Sequence, residues 1–131
     1  MKKVAFICIH NSCRSQMAEA ITKIVAKDDL EAYSAGTEKK SSINPLAVKA
    51  IKELYNVDIS LTQYPKLIEE LPPVDVVITM GCGVQCPFLP CEYREDWGLV
   101  DPTGKDYGEY IKTAKIIEQK IKQLIIKLKN Q

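Results

Sequence analysis

A chain of 131 residues, 46% of them hydrophobic, is long enough to bury one core, and we expect residues 1–131 to form a single domain. The formal net charge of +1 is spread evenly, so no nucleic-acid or membrane surface is indicated. The sequence has neither an apolar run long enough to span a bilayer nor the cleavage site of a signal peptide. Five cysteines in such a chain predict a cytoplasmic protein whose thiols are reactive or bind metal.

The first predicted elements are a strand, a short loop and a helix. Residues 4–7 are continuously apolar, which favours a parallel strand covered on both faces. Apolar residues then recur at helical spacing up to about Asp28, namely Met17, Ala18, Ile21, Ile24 and Val25. Cys8 therefore lies at the carboxyl end of a strand and faces a helix start, which is where open α/β sheets bind ligands.

The spacing of Cys8 and Arg14 favours oxyanion chemistry. Backbone N–H groups of a short loop, together with the partial positive charge of a helix N-terminus, form a cradle for a tetrahedral anion. The planar guanidinium of Arg14 can bind two oxygens of that anion. The same positive field favours the reactive thiolate form of Cys8. The predicted oxyanion-binding loop consists of Ile9, His10, Asn11, Ser12, Cys13, Arg14 and Ser15.

The middle of the chain predicts alternating short elements. Residues 31–35 form a second strand stopped by Gly36, and Asn44 caps a helix whose first turn contains a proline. Residues 58–62 are expected to be extended or turning. Residues 65–71 suggest a short helix, ended by two prolines.

The rest of the chain completes an α/β pattern. Residues 74–79 are rich in β-branched side chains and predict a third strand, with a weaker fourth strand near residues 94–99. A long amphipathic helix begins at Tyr107. Strands that alternate with helices predict a doubly wound, four-stranded parallel sheet with helices on both faces.

The Cys-x5-Arg-Ser arrangement resembles the low-molecular-weight protein tyrosine phosphatases and the thioredoxin-coupled arsenate reductases built on the same fold. The resemblance covers nearly the whole chain and rests on three matches in the right order: residues 8–15, Tyr33-Ser34-Ala35-Gly36 and Asp101-Pro102. It implies that Cys8 is the nucleophile, Arg14 binds the anion and Ser15 supports the thiolate. Asp101 would be the general acid. Taken alone, Asp101-Pro102 reads as the start of a turn.

Residues 80–91 follow the third strand and contain three cysteines among glycines and prolines, which is typical of a loop. The segment resembles the redox loop of the thioredoxin-coupled arsenate reductases, which implies that Cys82 is the first resolving thiol and Cys86 the second. The spacing is shorter than in the best-known members, with Gly81 inserted, so the path of the loop differs. Cys91 stays open as the final partner, although we expect a small loop residue or a back-up thiol.

The resemblance implies reduction of arsenate to arsenite. Cys8 attacks arsenic, Asp101 protonates the leaving oxygen, and Cys82 then attacks Cys8 so that arsenite departs. Exchange with Cys86 moves the disulfide outward, and thioredoxin or a similar dithiol resets the protein. No metal or nucleotide cofactor is required, and a monomer is expected.

Two alternatives remain open at this stage. A phosphatase acting on aryl phosphates needs only Cys8, Arg14 and Asp101. Family phosphatases tend to carry paired aromatics after the Asp-Pro pair, whereas residues 103–105 here are Thr-Gly-Lys, which argues for a small inorganic oxyanion. The second alternative is a cysteine-based metal-binding or redox-sensing module, in which zinc is held by Cys82, Cys86, Cys91 and either His10 or Cys8.

Several neighbouring residues are expected to support the loop. We expect Cys13 to point into the packing, His10 to be a loop or rim residue, and Asn11 to fix the loop through side-chain hydrogen bonds and to tolerate a left-handed backbone. Some reductases of the family bind potassium near this loop through an asparagine, a glutamate and a serine. Asn11, Glu19 and Ser34 occupy similar places, but the remaining ligands do not align cleanly around Ser60 to Gln63.

Overall fold

A computed structural model of the chain describes residues 1–38, 41–81 and 89–130. Strand β1 (Lys2–Cys8) lies at the centre of the sheet, with β2 (Leu30–Gly36) on one side and β3 (Val76–Thr79) on the other. Strand β4 (Tyr93–Asp96) pairs with β3, so the order is β2-β1-β3-β4 and every pairing is parallel. The predicted α/β fold with a four-stranded parallel sheet is confirmed.

In the described residues, three α-helices connect or follow these strands. They are α1 (Arg14–Val25), α2 (Pro45–Tyr55) and α3 (Tyr107–Lys129). Helix α2 begins where the sequence predicts, because the Asn44 side chain accepts a hydrogen bond of 2.9 Å from the backbone N–H of Leu46. Within the described ranges, no helix has the length and apolar character needed to cross a bilayer.

Side chains of β1 alternate between two cores. Val4 and Phe6 point to the side where all three α-helices pack, and this larger core includes Ile21, Ile51 and Ile117. The other face is covered by a smaller cluster that consists of Ala5, Ile7, Ala35, Ile68 and Val77. Helical segments therefore lie on both faces, with three α-helices on one and the short 3₁₀ helix Ile68–Glu70 on the other.

Among the boundaries that differ from the sequence prediction, three are explained by strand pairing. Gly36 is the last residue of β2 instead of its stop, and a bridge to Leu67 continues the pairing. That bridge keeps the backbone before residue 68 extended, so the helix predicted for residues 65–71 is a 3₁₀ turn over Ile68–Glu70. The fourth strand ends at Asp96 and not near residue 99, because its partner β3 ends at Thr79.

Candidate functional site

The loop between β1 and α1 borders a small cavity at the carboxyl edge of the sheet. The cavity volume is about 130 Å³, which corresponds to roughly four water molecules and suits a small tetrahedral anion. The residues that line it come from the loop after β1 and from the segment after β4, namely Cys8, Ile9, His10, Ser12, Cys13, Arg14, Asp101 and Thr103. The structure therefore brings the predicted nucleophile, the predicted anion-binding arginine and the predicted acid together at one site.

The carbonyl groups of the loop are held on the side away from the cavity. The carbonyl of Ile9 accepts from the N–H of Glu38 at 2.8 Å, and that of Ser12 accepts from the N–H of Asn44 at 2.8 Å. Because a trans peptide is planar, the N–H that follows each carbonyl points the opposite way. This arrangement turns loop N–H groups inward, as an anion cradle requires.

Cys8 is buried and is surrounded by hydrogen-bond donors. Its Sγ accepts from the backbone N–H of Asn11 at 3.2 Å and lies 2.8 Å from Ser15 Oγ. Asn11 has a φ of 53°, a left-handed conformation that asparagine tolerates, and it is the residue whose N–H contacts the sulfur. The sulfur therefore has hydrogen-bonding neighbours both in the loop and in the first turn of α1.

A backbone donor fixes the orientation of the Asn11 amide. The N–H of Lys66 can only donate, and it lies 2.8 Å from Asn11 Oδ1, so the amide nitrogen of Asn11 faces the other way. That nitrogen donates to Ser15 Oγ at 2.9 Å. The Ser15 hydroxyl keeps its own proton, and once Cys8 is ionised the sulfur can only accept from it.

Arg14 is buried and anchored to two backbone carbonyl groups. Its Nη1 donates to the carbonyl of Met80 at 2.8 Å and to that of Leu99 at 2.7 Å, and its Nη2 lies 3.7 Å from Asp101 Oδ2. These bonds fix the plane of the guanidinium at the cavity wall. They also tie α1 to the segments that leave β3 and β4. Both acceptors are backbone groups, which no sequence pattern marks.

The contacts of Asp101 fit both interpretations that the sequence left open, a turn residue and a residue at the anion site. Its Oδ1 accepts from the backbone N–H of Thr103 at 3.0 Å, which is turn chemistry, while its Oδ2 faces Arg14. The side chain is about half exposed and lines the cavity. A carboxyl group in this place has access both to solvent and to a bound anion.

Cys13 differs from Cys8 although both thiols line the cavity. Burial raises the pKa of Cys13 to about 12, and the negative charge of Asp101 acts in the same direction. The thiol of Cys13 therefore stays protonated at neutral pH, in keeping with the packing role expected from the sequence. An unfolded chain ionises this thiol near 9.0, so its contribution to folding is lost as the pH rises from there toward 12.

Alkylation with iodoacetamide at pH 8 is expected to label Cys8 and to leave Cys13 unmodified, because the thiolate is the reactive form. Trypsin leaves both residues in the peptide of residues 4–14, where fragment-ion masses assign the label. Cys13 should react at this pH only after denaturant unfolds the chain. Equal labelling of both cysteines in the folded protein would contradict the assignment.

The predicted rim and ion-site residues also have defined partners. His10 Nε2 lies 3.7 Å from Glu38 Oε2 at the rim, as expected. Glu19 is buried and accepts from Ser34 at 2.5 Å, and its carboxylate also pairs with the ammonium groups of Lys23 and Lys66. Among the described residues, no three His, Cys, Asp or Glu side chains are grouped to hold a metal ion.

The cysteines of the predicted redox loop are placed only in part. Cys82 and Cys86 lie outside the described residues, so their roles stay predictions. The segment is reached through Met80, whose carbonyl is bound by Arg14. Cys91 is partly buried and packs on the smaller core, and its role as a small loop residue or a back-up thiol stays a prediction.

Two residues that support the loop, one directly and one through the other, were given no role there by the sequence patterns. Gln16 donates to Asn11, and Gln63 donates to Gln16. Gln16 lies in the apolar stretch of α1. A polar residue on a buried helix face indicates specific hydrogen bonds, and this was the available signal in the sequence.

Comparison with known proteins agrees with this geometry. Residues 3–131 match the family model described as low molecular weight phosphotyrosine protein phosphatase. Arsenate reductase 1 of Staphylococcus epidermidis is 42% identical over 113 residues, which is 83% of this chain and 84% of that protein.

Solved structures give the same result. A structure described as an arsenate reductase in the phosphate binding state has a TM-score of 0.86 and 36% identity, covering 97% of this chain and 98% of the other. A thioredoxin-dependent arsenate reductase from Corynebacterium glutamicum has a TM-score of 0.75 and 32% identity, covering 98% of this chain and 62% of the other. The chain belongs to the low molecular weight phosphotyrosine protein phosphatase family.

Proposed function

We propose that this protein reduces arsenate to arsenite, with Cys8 as the nucleophile and thioredoxin or a similar dithiol as the electron donor. The observation that carries the proposal is the position of Cys8 Sγ, which accepts from the Asn11 N–H and lies 2.8 Å from Ser15 Oγ in a cavity of about 130 Å³ walled by Arg14 and Asp101. The relatives named as arsenate reductases support the choice of substrate.

In the first step, arsenate occupies the cavity and the Cys8 thiolate attacks arsenic. Arg14 and the loop N–H groups bind the remaining arsenate oxygens and stabilise the charge that builds up on them. The protonated carboxyl group of Asp101 gives its proton to the departing oxygen, which leaves as water. The product is a covalent Cys8–arsenic adduct in which arsenic is still pentavalent.

In the second step, the thiolate of Cys82 attacks Cys8 Sγ. A Cys8–Cys82 disulfide forms, the sulfur–arsenic bond breaks, and its electron pair stays on arsenic, which departs as trivalent arsenite. Cys86 then attacks Cys82, which returns Cys8 as a thiolate and leaves a Cys82–Cys86 disulfide. A dithiol donor supplies the two electrons that reduce this disulfide. Thioredoxin is proposed here because the Corynebacterium relative is described as thioredoxin-dependent.

A phosphatase reaction is the second candidate, because the family model is named for it and because Cys8, Arg14 and Asp101 suffice for it. The small cavity and the presence of Thr103 on its wall favour a compact anion over an aryl phosphate. We therefore place phosphatase activity second, as a residual reaction of the same nucleophile.

Variants of the redox loop distinguish arsenate reduction from the phosphatase reaction. Cys82→Ser and Cys86→Ser are each expected to remove arsenate-dependent oxidation of reduced thioredoxin, followed as NADPH consumption through thioredoxin reductase. Both variants should keep the para-nitrophenyl phosphate hydrolysis of the unmodified protein, because that reaction needs no resolving thiol. Cys91→Ser should keep both activities.

Arsenate reduction that survives in Cys82→Ser and Cys86→Ser would contradict the thiol relay. If Cys91→Ser loses arsenate reduction while Cys86→Ser keeps it, Cys91 replaces Cys86 as the final partner.

A further inference from the structure

Two buried glutamines lie behind the anion loop, on the side away from the cavity lining. Gln16 is on α1 and is fully buried, and Gln63 is 7% exposed and lies 47 residues later in the chain. Neither residue lines the cavity, and neither has a role in the reaction proposed above. Polar groups removed from water cost stability unless they are hydrogen-bonded, so two buried amides indicate a place where specific hydrogen bonds are made.

The contacts of Gln16 fix the orientation of its amide. Its Nε2 donates to the Asn11 carbonyl at 3.0 Å, to Asn11 Oδ1 at 2.9 Å and to the Tyr64 carbonyl at 3.0 Å. Two of these acceptors are backbone oxygens, so a flipped amide would bring oxygen against oxygen. The Oε1 of Gln16 then faces Gln63, whose Nε2 donates to it at 2.7 Å.

Gln16 in turn fixes Asn11 in two ways. Its bond to Asn11 Oδ1 acts together with the backbone N–H of Lys66 to hold the Asn11 side chain, which donates to Ser15. Its bond to the Asn11 carbonyl holds the left-handed backbone of the residue whose N–H donates to Cys8 Sγ. Both donors that reach the sulfur therefore depend on Asn11.

We propose that Gln16 is a positioning residue for Cys8, acting through Asn11 and Ser15, and that Gln63 holds the Gln16 amide in place. The proposal rests on the proposed function only in that it takes Cys8 as the nucleophile. Without the Gln16 amide, Asn11 loses a donor on its side chain and another on its carbonyl, so the two donors to the sulfur lose their fixed directions. The thiolate of Cys8 then becomes less favourable.

The test is the pH dependence of iodoacetamide alkylation at Cys8 in Gln16→Met, which keeps the side-chain length and removes every hydrogen bond of the side-chain amide. The midpoint of alkylation is expected to move up by about one pH unit, seen as a roughly tenfold slower reaction well below the midpoint. Gln63→Met should move it in the same direction by less, since it removes only the support of Gln16.

Thr22→Val is the matched control. Thr22 lies on the same helix, is fully buried, and its Oγ1 has no hydrogen-bond partner in the described part of the chain. This variant should leave the midpoint unchanged. Circular dichroism and thermal unfolding report whether each variant folds. If Gln16→Met does not fold, the shift of the alkylation midpoint in Gln63→Met tests the proposal.

A second arm separates positioning from simple packing. In a Ser15→Ala background, Gln16→Met should shift the midpoint less than it does in the unmodified chain, because part of its effect passes through Ser15. A lower melting temperature without any shift of the midpoint, or equal shifts in both backgrounds, would overturn the proposal. Alkylation requires no arsenate, so a protein that fails to reduce arsenate but shows these shifts refutes only the proposed function.

Discussion

Replacing Cys8 with serine is expected to remove arsenate reduction and para-nitrophenyl phosphate hydrolysis together, each by roughly 10⁴-fold or more in kcat. A serine hydroxyl is not ionised at neutral pH, and the donors from Asn11 and Ser15 cannot make it a nucleophile. Initial rates at saturating substrate, with the thioredoxin and the chromogenic assays run on the same preparation, measure both losses.

Cys91→Ser is the control for the loss of a cysteine as such, because Cys91 packs on the smaller core and not at the cavity. It should keep the hydrolytic rate. If Cys8→Ser retains arsenate reduction, another thiol is the nucleophile and the mechanism proposed here is wrong.

The second large effect is expected for Gly36→Ala. A Cβ on Gly36 would lie 2.5 Å from the Ile9 carbonyl oxygen, 2.9 Å from the Asn11 nitrogen and 2.9 Å from the Glu38 oxygen, all of them backbone atoms. These atoms cannot rotate away, so the anion loop must shift. We expect a loss of about 2–4 kcal/mol in the free energy of unfolding. Since a displacement of about 1 Å at a reacting group costs roughly 10²-fold in rate, kcat should fall by at least that factor.

Urea unfolding and steady-state rates measure the two effects. Gly108→Ala is the matched control, because nothing lies within 4 Å of the added methyl group and the site is helical. That change should stabilise the protein by about 0.5–1 kcal/mol and leave kcat unaltered. If Gly36→Ala has the urea midpoint and the rate of the unmodified protein, the close approach of β2 to the anion loop does not exist in solution.

Local signals in the sequence predict most of the fold. The continuous apolar run before Cys8 and the Asn44-Pro45 cap are local patterns, and the structure has β1 and α2 where those patterns place them. Where the prediction missed, a partner distant in sequence decided the outcome. Leu67 is held by its bridge to Gly36, and β4 ends where β3 ends, so neither boundary is encoded in the segment itself.

The candidate site likewise has one part that local sequence motifs predict and another part that only tertiary contacts create. Cys8, Arg14 and Asp101 stand in recognisable motifs, and the structure brings them to one cavity. Gln63 could not be identified from its own surroundings in the sequence, because its contact with Gln16 exists only after α1 and residues 59–64 pack together. The anchoring of Arg14 to two carbonyl groups is likewise a tertiary contact with no side-chain signature.

The most direct test of the arsenate relay is a single turnover without external thiol. Fully reduced protein is mixed with arsenate, quenched in acid, alkylated, and mapped by peptide mass. We expect the loss of two thiols only when arsenate is present, with Cys82 and Cys86 joined in the new disulfide and Cys8 recovered as an alkylated thiol. Five alkylatable cysteines after exposure to arsenate would contradict the internal relay, and the chain would then be a phosphatase or a reductase that passes its adduct to an external thiol.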